Sequence, residues 1–486
     1  MKRTNKLFHT LVLLTAGAFI IPSYGHISSP MQNENMSETM EGTTTQSDSK
    51  DNTGQDKKCI EKIISRFVAY AKINSQSTDT ADMDAFPLNE GQRQIAAHIE
   101  EELLAMSKGT EMTVKRSESE YLYVKIPSNI NRKVPSIMFM AHLDVTPEAP
   151  GGDIRPIVHR NYTGGDIKLP SGAVLSPASP QGKHLKDCLG KTIITSDGNT
   201  LLGADDKSGC TVLVTLIENI LQNKDIEHGD LYFVFSQNED IGRAADKFES
   251  DYIGAEPDIV IDVDGDQPDR FSVENFTAAM RIYRFYGKDA HPGDGFANKY
   301  GDALTAASYF IGMIPPSKHP SASKDKMGYI HCYSLTHPTD SRGKEISDDY
   351  LVKVRLRYFN KAEGDTIRAL LDKAAEKTAI AYPFVKVEAQ PEVMQYENVA
   401  YSMYPGLPSI IQKSAASAGQ PMEPKSERGG TTSAMMAAKG LRGGPCIFSG
   451  QQAEHSIYEW TCAEDMMKMV AVTMNIVQDI AKSTKK

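Results

Sequence analysis

Four short apolar segments, each followed by polar or acidic residues, constrain the fold of this chain more than any other feature. The segments are Val134–Met140, before His142; Asp230–Phe235, before Glu239 and Asp240; Asp258–Val263, before Asp264; and Pro445–Ser449, before the loop of His455. Apolar runs without polar alternation are typical of strands covered on both faces. Helical patterns lie between them, at Cys210–Asn223 and Asp465–Ala481. This order predicts an α/β fold in which helices flank a mostly parallel sheet.

The position of the polar residues, directly after predicted strands, predicts a shared site. In open α/β sheets, ligands bind beyond the carboxyl ends of the strands. Parallel strands would bring one group of side chains to a single edge of the sheet: His142, Glu239, Asp240 and Asp264. Asp144 follows His142 at the two-residue period of a strand. The two side chains then lie on the same side, where one can bind a metal while the other orients it.

Oxygen and nitrogen atoms dominate this group of side chains, which indicates a metal site. Asp205 lies in Gly203–Gly209, a glycine-flanked acidic turn that opens a helix. A carboxylate can bridge two cations, and further carboxylates with two imidazoles, those of His142 and His455, can fill the remaining positions. One more carboxylate must stay free to take the proton from the attacking water.

Each motif alone has a common alternative explanation. Adjacent acids such as Glu239 and Asp240 are often solvated residues at a helix start, and a loop histidine such as His455 is often a surface residue. The joint placement of these residues after several strands favours the metal site. The sequence contains no HExxH, CxxC or GxSxG motif, so a one-helix zinc peptidase, a zinc knot and a nucleophile elbow have no support. Gly198–Gly203 resembles the start of a phosphate loop, but Ala204 and Asp205 stand where that loop needs a lysine and a serine or threonine, and the added negative charge would repel phosphate.

The first residues of the chain have the pattern of an export signal. Residues 1–25 contain three basic residues, the apolar run Leu7–Ile21 and the small residues Ser23 and Gly25, as in a secretory signal peptide. The alternative is an uncleaved membrane anchor, although a bilayer span needs about 20 residues. Residues 26–57 contain few large apolar side chains and are predicted to be a disordered tether. We therefore expect an exported protein, periplasmic or secreted, with no stable membrane insertion after signal cleavage.

The remaining residues are predicted to form two domains. Residues 58–269 and 391–486 carry the α/β pattern. Residues 270–390 alternate more and contain helical patterns of their own. They are predicted to form an inserted α+β domain with an antiparallel sheet. At roughly 100–200 residues per domain, two to four domains are expected for a chain of 486 residues.

Charge and cysteine content exclude several classes of protein. The formal net charge is −10, and removal of the three basic residues of segment 1–25 makes it −13. A nucleic-acid-binding protein needs a basic face for phosphates, so no nucleic-acid partner is expected. Six cysteines in 486 residues exclude a disulfide scaffold. Cys210 and Cys446 fall in apolar patterns typical of buried thiols, so no essential disulfide is predicted.

Seven segments resemble, in order, the motifs of a cocatalytic metallopeptidase family that includes aminoacylases, glutamate carboxypeptidase and peptidase T. They are AHLDVTPE at 141–148, TSDGNTLLGADDKSG at 195–209, FSQNEDIG at 235–242, DVDG at 262–265, AHPG at 290–293, ERGGTT at 427–432 and the segment around His455. NYTGGDIKL at 161–169 and the complete string TLLGADDKSG are similar to the peptidase T subgroup, the bacterial tripeptide aminopeptidases. The resemblance extends from about Cys59 to Ile480, nearly all of the part that is predicted to fold.

The resemblance implies a site with two zinc ions per subunit. Co²⁺ and Mn²⁺ are alternatives, because ligands that are all nitrogen and oxygen suit those ions as well. His142 and Asp264 would bind one zinc ion, and Asp240 and His455 would bind the other. Asp205 would bridge the two. The chain departs from the family pattern at Asp240, where peptidase T usually has glutamate, but this change keeps a carboxylate ligand.

The resemblance also implies roles around the metal ions. Asp144 would orient the first ligand histidine, and Glu239 would act as the general base. His291 would reach the substrate carbonyl and stabilise the oxyanion, from the partner subunit in some relatives. Arg357 and Arg428 would bind the substrate's carboxylate, which matches the planar fork of an arginine. A turn residue and a strand surface charge are the alternative explanations for His291 and Arg357.

From this resemblance we expect an exopeptidase that removes the N-terminal residue from short peptides, tripeptides above all. The reaction would be attack of a metal-bound hydroxide on the peptide carbonyl, with Glu239 as general base. A second copy of the chain is the other expected partner, in a homodimer formed through the inserted lid or dimerisation domain. A dipeptidase, a carboxypeptidase or an N-acyl amino acid deacylase on the same dinuclear site remain alternatives. So does a non-catalytic binding protein of the same fold.

Overall fold

The chain is seen in a computed structural model that describes residues 49–78, 86–254, 256–339 and 343–483. The predicted signal segment 1–25 and most of the predicted tether lie outside the described residues. The helices are α1 (Ser49–Ala71), α2 (Glu90–Ser107), α3 (Ala204–Gln222), α4 (Gly295–Asn298), α5 (Ala303–Gly312), α6 (Lys361–Ala381), α7 (Leu407–Ser417), α8 (Thr432–Ala438) and α9 (Ala463–Ser483). The first helix thus begins inside the segment 26–57 that is predicted to be disordered.

The strands of the described residues form several sheets. They are β1 (Thr113–Arg116), β2 (Leu122–Ile126), β3 (Ile137–His142), β4 (Ile157–His159), β5 (Ile167–Lys168), β6 (Val174–Leu175), β7 (Ile193–Thr195), β8 (Leu231–Ser236), β9 (Ile259–Gly265), β10 (Arg270–Asn275), β11 (Thr277–Tyr286), β12 (Tyr329–Thr336), β13 (Tyr350–Tyr358), β14 (Lys386–Ala389), β15 (Val393–Tyr396), β16 (Glu423–Glu427), β17 (Cys446–Phe448), β18 (Gln451–Gln452) and β19 (Trp460–Cys462). Two of these sheets, of eight and of five strands, determine the position of the site.

The eight-stranded sheet has a parallel centre. Its order is β1-β2-β8-β3-β9-β17-β10-β16. The four central strands, from β8 to β17, run parallel to one another. β1 and β2 form an antiparallel edge, and β10 runs antiparallel to β17. The predicted fold class, an α/β sheet with helices and an additional α+β part, is confirmed, and the four central strands overlap the four apolar segments of the sequence.

Side chains of β3 alternate between two hydrophobic cores, one on each face of the sheet. Ile137, Phe139 and Ala141 pack in the larger core, with residues of α1, α2, α3, α7 and α9. Met138 and Met140 pack in a second core on the other face, with residues of α8. Each large apolar side chain that is fully buried stabilises the fold by roughly 1.5–3 kcal/mol. Both faces of the strand therefore require apolar residues, which explains a run without polar alternation.

The five-stranded sheet is antiparallel and has its own core. Its order is β12-β13-β11-β14, and β15 also pairs with β11. Residues of α5 and α6 pack in this core. The chain passes from the large sheet to the small one after β10, which begins at Arg270. It leaves the small sheet after β15, which begins a few residues after Gln390. The predicted domain boundaries at these two residues stay predictions.

The start of α3 departs from a regular helix. The predicted helical pattern begins at Cys210, whereas α3 begins at Ala204. The backbone angles of Asp205 (φ −81°, ψ 107°) and Asp206 (φ −118°, ψ 38°) are not helical. This irregular turn directs the two acids away from the helix surface and toward the carboxyl ends of the central strands.

Two further features concern the membrane and the cysteines. Among the helices of the described residues, none combines the length and the apolar character that crossing a membrane requires. The six cysteines are free thiols, and four of them, Cys188, Cys210, Cys446 and Cys462, are buried.

Candidate metal centre

The residues predicted as metal ligands converge at the carboxyl edge of the central strands. His142 is the last residue of β3, and Asp264 is the last but one of β9. Asp240 follows β8, Asp205 opens α3, and His455 lies in the loop between β18 and β19. The convergence follows from the parallel strand order, because the carboxyl ends of parallel strands meet at one edge.

The first group of ligand atoms surrounds His142. Its Nε2 lies 2.9 Å from Oδ1 of Asp205 and 3.5 Å from Oδ1 of Asp264. Oε2 of Glu239 is 4.0 Å from the same nitrogen. His142 is buried, so these atoms face one another in a space with little water.

The second group of ligand atoms surrounds His455. Its Nε2 lies 2.9 Å from Oδ1 of Asp240 and 3.3 Å from Oδ2 of Asp205. Asp205 thus directs one carboxylate oxygen toward each of the two histidines. A carboxylate that bridges two cations needs this arrangement.

The donor set fits divalent cations. Oδ2 of Asp240 is buried and accepts no hydrogen bond within the described residues. A buried polar atom without a partner costs free energy, and a bound cation would satisfy it. Ligand atoms of His142, Asp205 and Asp240 all lie within 4.8 Å of one another. Nitrogen and oxygen ligands of this kind suit Zn²⁺ and also Co²⁺ or Mn²⁺.

The carboxylates and the histidines shift one another's pKa. Burial by itself lowers the pKa of His142, but Asp264 and the other carboxylates around it raise that pKa well above its ordinary value. Hydrogen bonds to Asp205 and Asp240 raise the pKa of His455 to about 12. Burial and the nearby charge of Asp205 raise the pKa of Asp240 to about 8. The negative charge of the centre therefore attracts cations, either protons or metal ions.

Asp144 connects the end of β3 to the loop that carries Glu239 and Asp240. Its carboxylate accepts the backbone N–H groups of these two acids, at 3.0 and 3.3 Å. Nδ1 of His142 lies 3.1 Å from the backbone carbonyl oxygen of Asp144 and 3.5 Å from its carboxylate.

Burial raises the pKa of Glu239 well above its ordinary value.

Glu459 is a buried acid of the centre that the sequence analysis did not single out. Its carboxylate accepts the backbone N–H groups of Leu202, Gly203 and Asp205, at 2.8, 2.6 and 2.9 Å. These contacts hold the start of α3, and with it Asp205, in place. No sequence signal identifies Glu459, because a single glutamate beside a tryptophan belongs to no motif.

Asp206 is a second buried acid without an assigned role in the sequence analysis. It accepts the backbone N–H of His142 at 3.2 Å and that of Gly209 at 3.0 Å. Its ligand atoms also lie within 4.8 Å of those of His142 and Asp264. The signal available in the sequence was its place beside Asp205 in the glycine-flanked acidic turn.

A cleft of about 670 Å³ opens beside the metal centre. Asp205, Glu239, Asp240, Asp264 and His455 line it on one side, and residues of β10 and of segment 427–431 line it further out. A bound peptide thus has room next to the ligands.

Three residues predicted to contact the substrate do not line this cleft within the described part of the chain. His291 is exposed at the start of a short 3₁₀ helix. Arg357 is buried in β13, where its Nη1 donates to a backbone carbonyl at 3.0 Å. Nη1 of Arg428 donates to the backbone carbonyl of Asp325 at 2.6 Å. One chain therefore brings together the predicted ligands and the predicted base, but not these three residues.

Comparisons with known sequences find aminopeptidases and peptidases. Residues 190–278 match the sequence model of a family described as M42 glutamyl aminopeptidase. The peptidase T of Shouchella clausii is 33% identical over 432 residues, which cover 87% of this chain and 100% of that protein. The peptidase T of Halothermothrix orenii is 30% identical over 419 residues, which cover 86% of this chain and 98% of that protein.

Solved structures share the fold. Aminopeptidase PepT from Bacillus cereus has a TM-score of 0.64 at 18% identity, over 87% of this chain and 99% of that one. A tripeptidase from Staphylococcus aureus has a TM-score of 0.62 at 17% identity, over 87% and 99%. A dinuclear metal-binding peptidase of the M20 family from Bacillus subtilis has a TM-score of 0.59 at 12% identity, over 88% and 99%.

The expectation of export is wrong. It rested on the apparent signal peptide at residues 1–25, which lie outside the described residues. The peptidase T relatives are cytosolic enzymes, which contradicts a periplasmic or secreted location. An apolar segment after basic residues is a compositional signal only, and it does not outweigh the relatives.

Sequence similarity along the whole length of the relatives agrees with the motifs and with the geometry of the centre. At 33% identity to a peptidase T that it covers completely, the chain belongs to the peptidase T family of metal-dependent aminopeptidases.

Proposed function

We propose that this protein is a dinuclear metalloaminopeptidase that removes the N-terminal residue from short peptides, tripeptides in particular. The observation that carries the proposal is the position of Asp205, with one oxygen 2.9 Å from His142 and the other 3.3 Å from His455. A solved structure of the same fold is that of a tripeptidase, which supports tripeptides as substrates.

The proposed ligands form two groups that share one carboxylate. His142 and Asp264 would hold one cation, Asp240 and His455 would hold the other, and Asp205 would contribute to both sites. Divalent cations bound there, Zn²⁺ in this proposal, would supply Lewis-acid chemistry, lowering the pKa of a water and polarising the substrate's carbonyl group.

Glu239 is the proposed general base. Its carboxylate is 4.0 Å from Nε2 of His142 and lines the cleft, yet the proposed ligand set does not need it. It takes a proton from the attacking water and returns that proton to the leaving amine. Asp144 holds the backbone of the base in place by accepting its N–H.

We also propose that the enzyme is a homodimer, formed through an inserted domain at about residues 270–390. Phe296 and Ile380 in this part are 88% and 72% exposed, although large apolar side chains are usually buried. His291 lies in the same part and is absent from the cleft of its own chain. A position in the partner's cleft would let His291 stabilise the oxyanion there.

Product analysis on a panel of tripeptides tests the activity. We expect one free N-terminal residue and one dipeptide from each substrate. Removal of the metal ions by a chelator should abolish turnover, and Zn²⁺ should restore it. Release of the C-terminal residue would instead identify a carboxypeptidase, and cleavage of N-acyl amino acids a deacylase.

The variant Glu239→Gln tests the proposed base. We expect kcat to fall by roughly 10²- to 10⁴-fold, the contribution of general base catalysis, while the metal content stays at two ions. Glu61→Gln is a matched control, because Glu61 is exposed on α1 and forms an ion pair with Arg160. Turnover by Glu239→Gln at the wild-type rate would contradict the role of Glu239 as the general base.

A further inference from the structure

The cleft beside the metal centre contains a single cationic side chain other than histidine among its described residues, that of Arg270. Arg270 is the first residue of β10, and Ser272, further along that strand, pairs with Cys446 of the antiparallel β17. Arg270 therefore lies toward the carboxyl end of β17. The proposed metal ligands lie at the same edge of the sheet.

The guanidinium of Arg270 has unused hydrogen-bond donors. Its Nη2 donates to Oε1 of Gln267 at 3.0 Å. Its Nε is buried and donates no hydrogen bond within the described residues. Oδ1 of Asp269 is 3.7 Å from this nitrogen, which is too far for a hydrogen bond. A carboxylate bound to both Nε and a terminal nitrogen would satisfy the buried donor.

The two arginines predicted from the sequence to bind a carboxylate are engaged outside the cleft. Arg357 donates to the backbone carbonyl of Leu356 at 3.0 Å. Arg428 donates to the backbone carbonyl of Asp325 at 2.6 Å. Neither lines the cleft, so Arg270 is better placed for the substrate.

We propose that Arg270 binds the C-terminal carboxylate of the peptide substrate and thereby selects tripeptides, a subsite that rests on the function proposed above. β10 is two strands away from β9, which carries Asp264, so the strands are roughly 10 Å apart. A tripeptide whose first peptide bond lies at the ligands extends two residues further, about 7 Å. The side chain of Arg270 spans the remaining gap, whereas the terminal carboxylate of a longer peptide would lie beyond it.

The remaining charges of the cleft sharpen this selection. Asp266, Glu427 and Glu454 also line the cleft, and they repel a carboxylate. Arg270 offsets that repulsion at one point, so the C-terminus of a peptide has one favourable position.

The test compares a tripeptide with its C-terminal amide, which has the same length and no terminal carboxylate. We expect the wild-type enzyme to favour the free acid in kcat/KM by roughly 10- to 100-fold, as for a charge-assisted bidentate contact. Arg270→Gln should remove this preference by lowering kcat/KM for the free acid, whereas a general structural defect would lower kcat/KM for both peptides by the same factor and keep their ratio. Arg270→Lys should keep part of the preference, since the charge remains without the fork. Arg155→Gln, on an exposed arginine, should keep the wild-type preference.

Binding without turnover separates this subsite from the proposed function. Calorimetry in the Glu239→Gln background measures the affinity for both peptides, with and without Arg270→Gln. A preference for the free acid that survives Arg270→Gln, in turnover or in binding, would overturn the subsite. A wild-type protein that cleaves neither peptide, yet binds the free acid through Arg270, would overturn the proposed function and support the subsite.

Discussion

Glu459 acts on the metal centre through the backbone. Its carboxylate accepts three N–H groups at the start of α3, and the last of these belongs to Asp205. Glu459→Gln replaces one accepting oxygen with an NH₂ group that faces N–H donors. We expect the free energy of unfolding to fall by roughly 1.5–3 kcal/mol, as for hydrogen bonds to charged groups. The affinity for Zn²⁺ should fall as well, because Asp205 loses its fixed position.

Urea denaturation of the metal-free protein measures the stability of this variant, and titration with Zn²⁺ measures its affinity. Glu61→Gln again serves as the control, since exposed ion pairs contribute little to stability. If Glu459→Gln and Glu61→Gln unfolded at the same urea concentration with equal Zn²⁺ affinity, the positioning role of Glu459 would be wrong.

The chemistry of a residue decides whether the sequence reveals its place in the centre. A cation accepts few ligand types, so His142, Asp205 and His455 stand out in their motifs, and the structure places them side by side. Their role as ligands stays a prediction. The sequence does not identify Glu459, because many side chains can accept backbone N–H groups and this role therefore has no sequence motif. The sequence does not identify Arg270 either, because a charged residue at the start of a strand resembles an ordinary surface residue.

At the scale of elements, Gln92 joins α2 to the loop after β8. It is the third residue of the helix, and it exchanges two hydrogen bonds with the N-cap residue Asn89. Its Nε2 also donates to Gln237 at 3.1 Å and to Asn238 at 2.7 Å, directly before Glu239. Gln92→Ala removes the side-chain half of the capping box, the bond that Gln92 accepts from the Asn89 N–H, and leaves two buried acceptors without a donor. We expect a loss of roughly 1–3 kcal/mol in the free energy of unfolding, with a lower kcat.

Thermal unfolding and tripeptide turnover measure both effects of Gln92→Ala. Gln94→Ala is the matched control, because Gln94 is on the same helix but exposed, where its Nε2 donates to the carboxylate of Glu90. Both variants make the same change in helix propensity. A kcat of Gln92→Ala equal to that of Gln94→Ala would show that α2 does not position the loop.

The elements differ in how far the sequence predicts them. β3, β8, β9 and β17 are predictable because burial on both faces requires continuous apolar runs. β1 has no such run, since three of its four residues are exposed. It is held in the sheet by pairing with β2 instead, and pairing between strands is a property of the fold rather than of the local sequence.

At the scale of the whole molecule, the proposed dimer raises the question of which chain supplies His291. Its Nδ1 accepts an N–H from Gly293 at 3.2 Å, and the residue is exposed rather than directed into the cleft of its own chain. If His291 acts within one chain, the part of the chain that carries it must move to bring it into the cleft. If it acts across the dimer, each cleft combines Glu239 of one copy with His291 of the other.

A mixture of two inactive variants distinguishes these cases. His291→Ala lacks the proposed oxyanion donor, and Glu239→Gln lacks the base, so each alone should show little turnover. When the two are unfolded together and refolded, mixed dimers contain one cleft with both groups intact if His291 acts across the interface. We then expect roughly a quarter of the wild-type rate, since half of the dimers are mixed and each has one working cleft. A mixture as inactive as its components, at a concentration where ultracentrifugation shows dimers, would place His291 within its own chain.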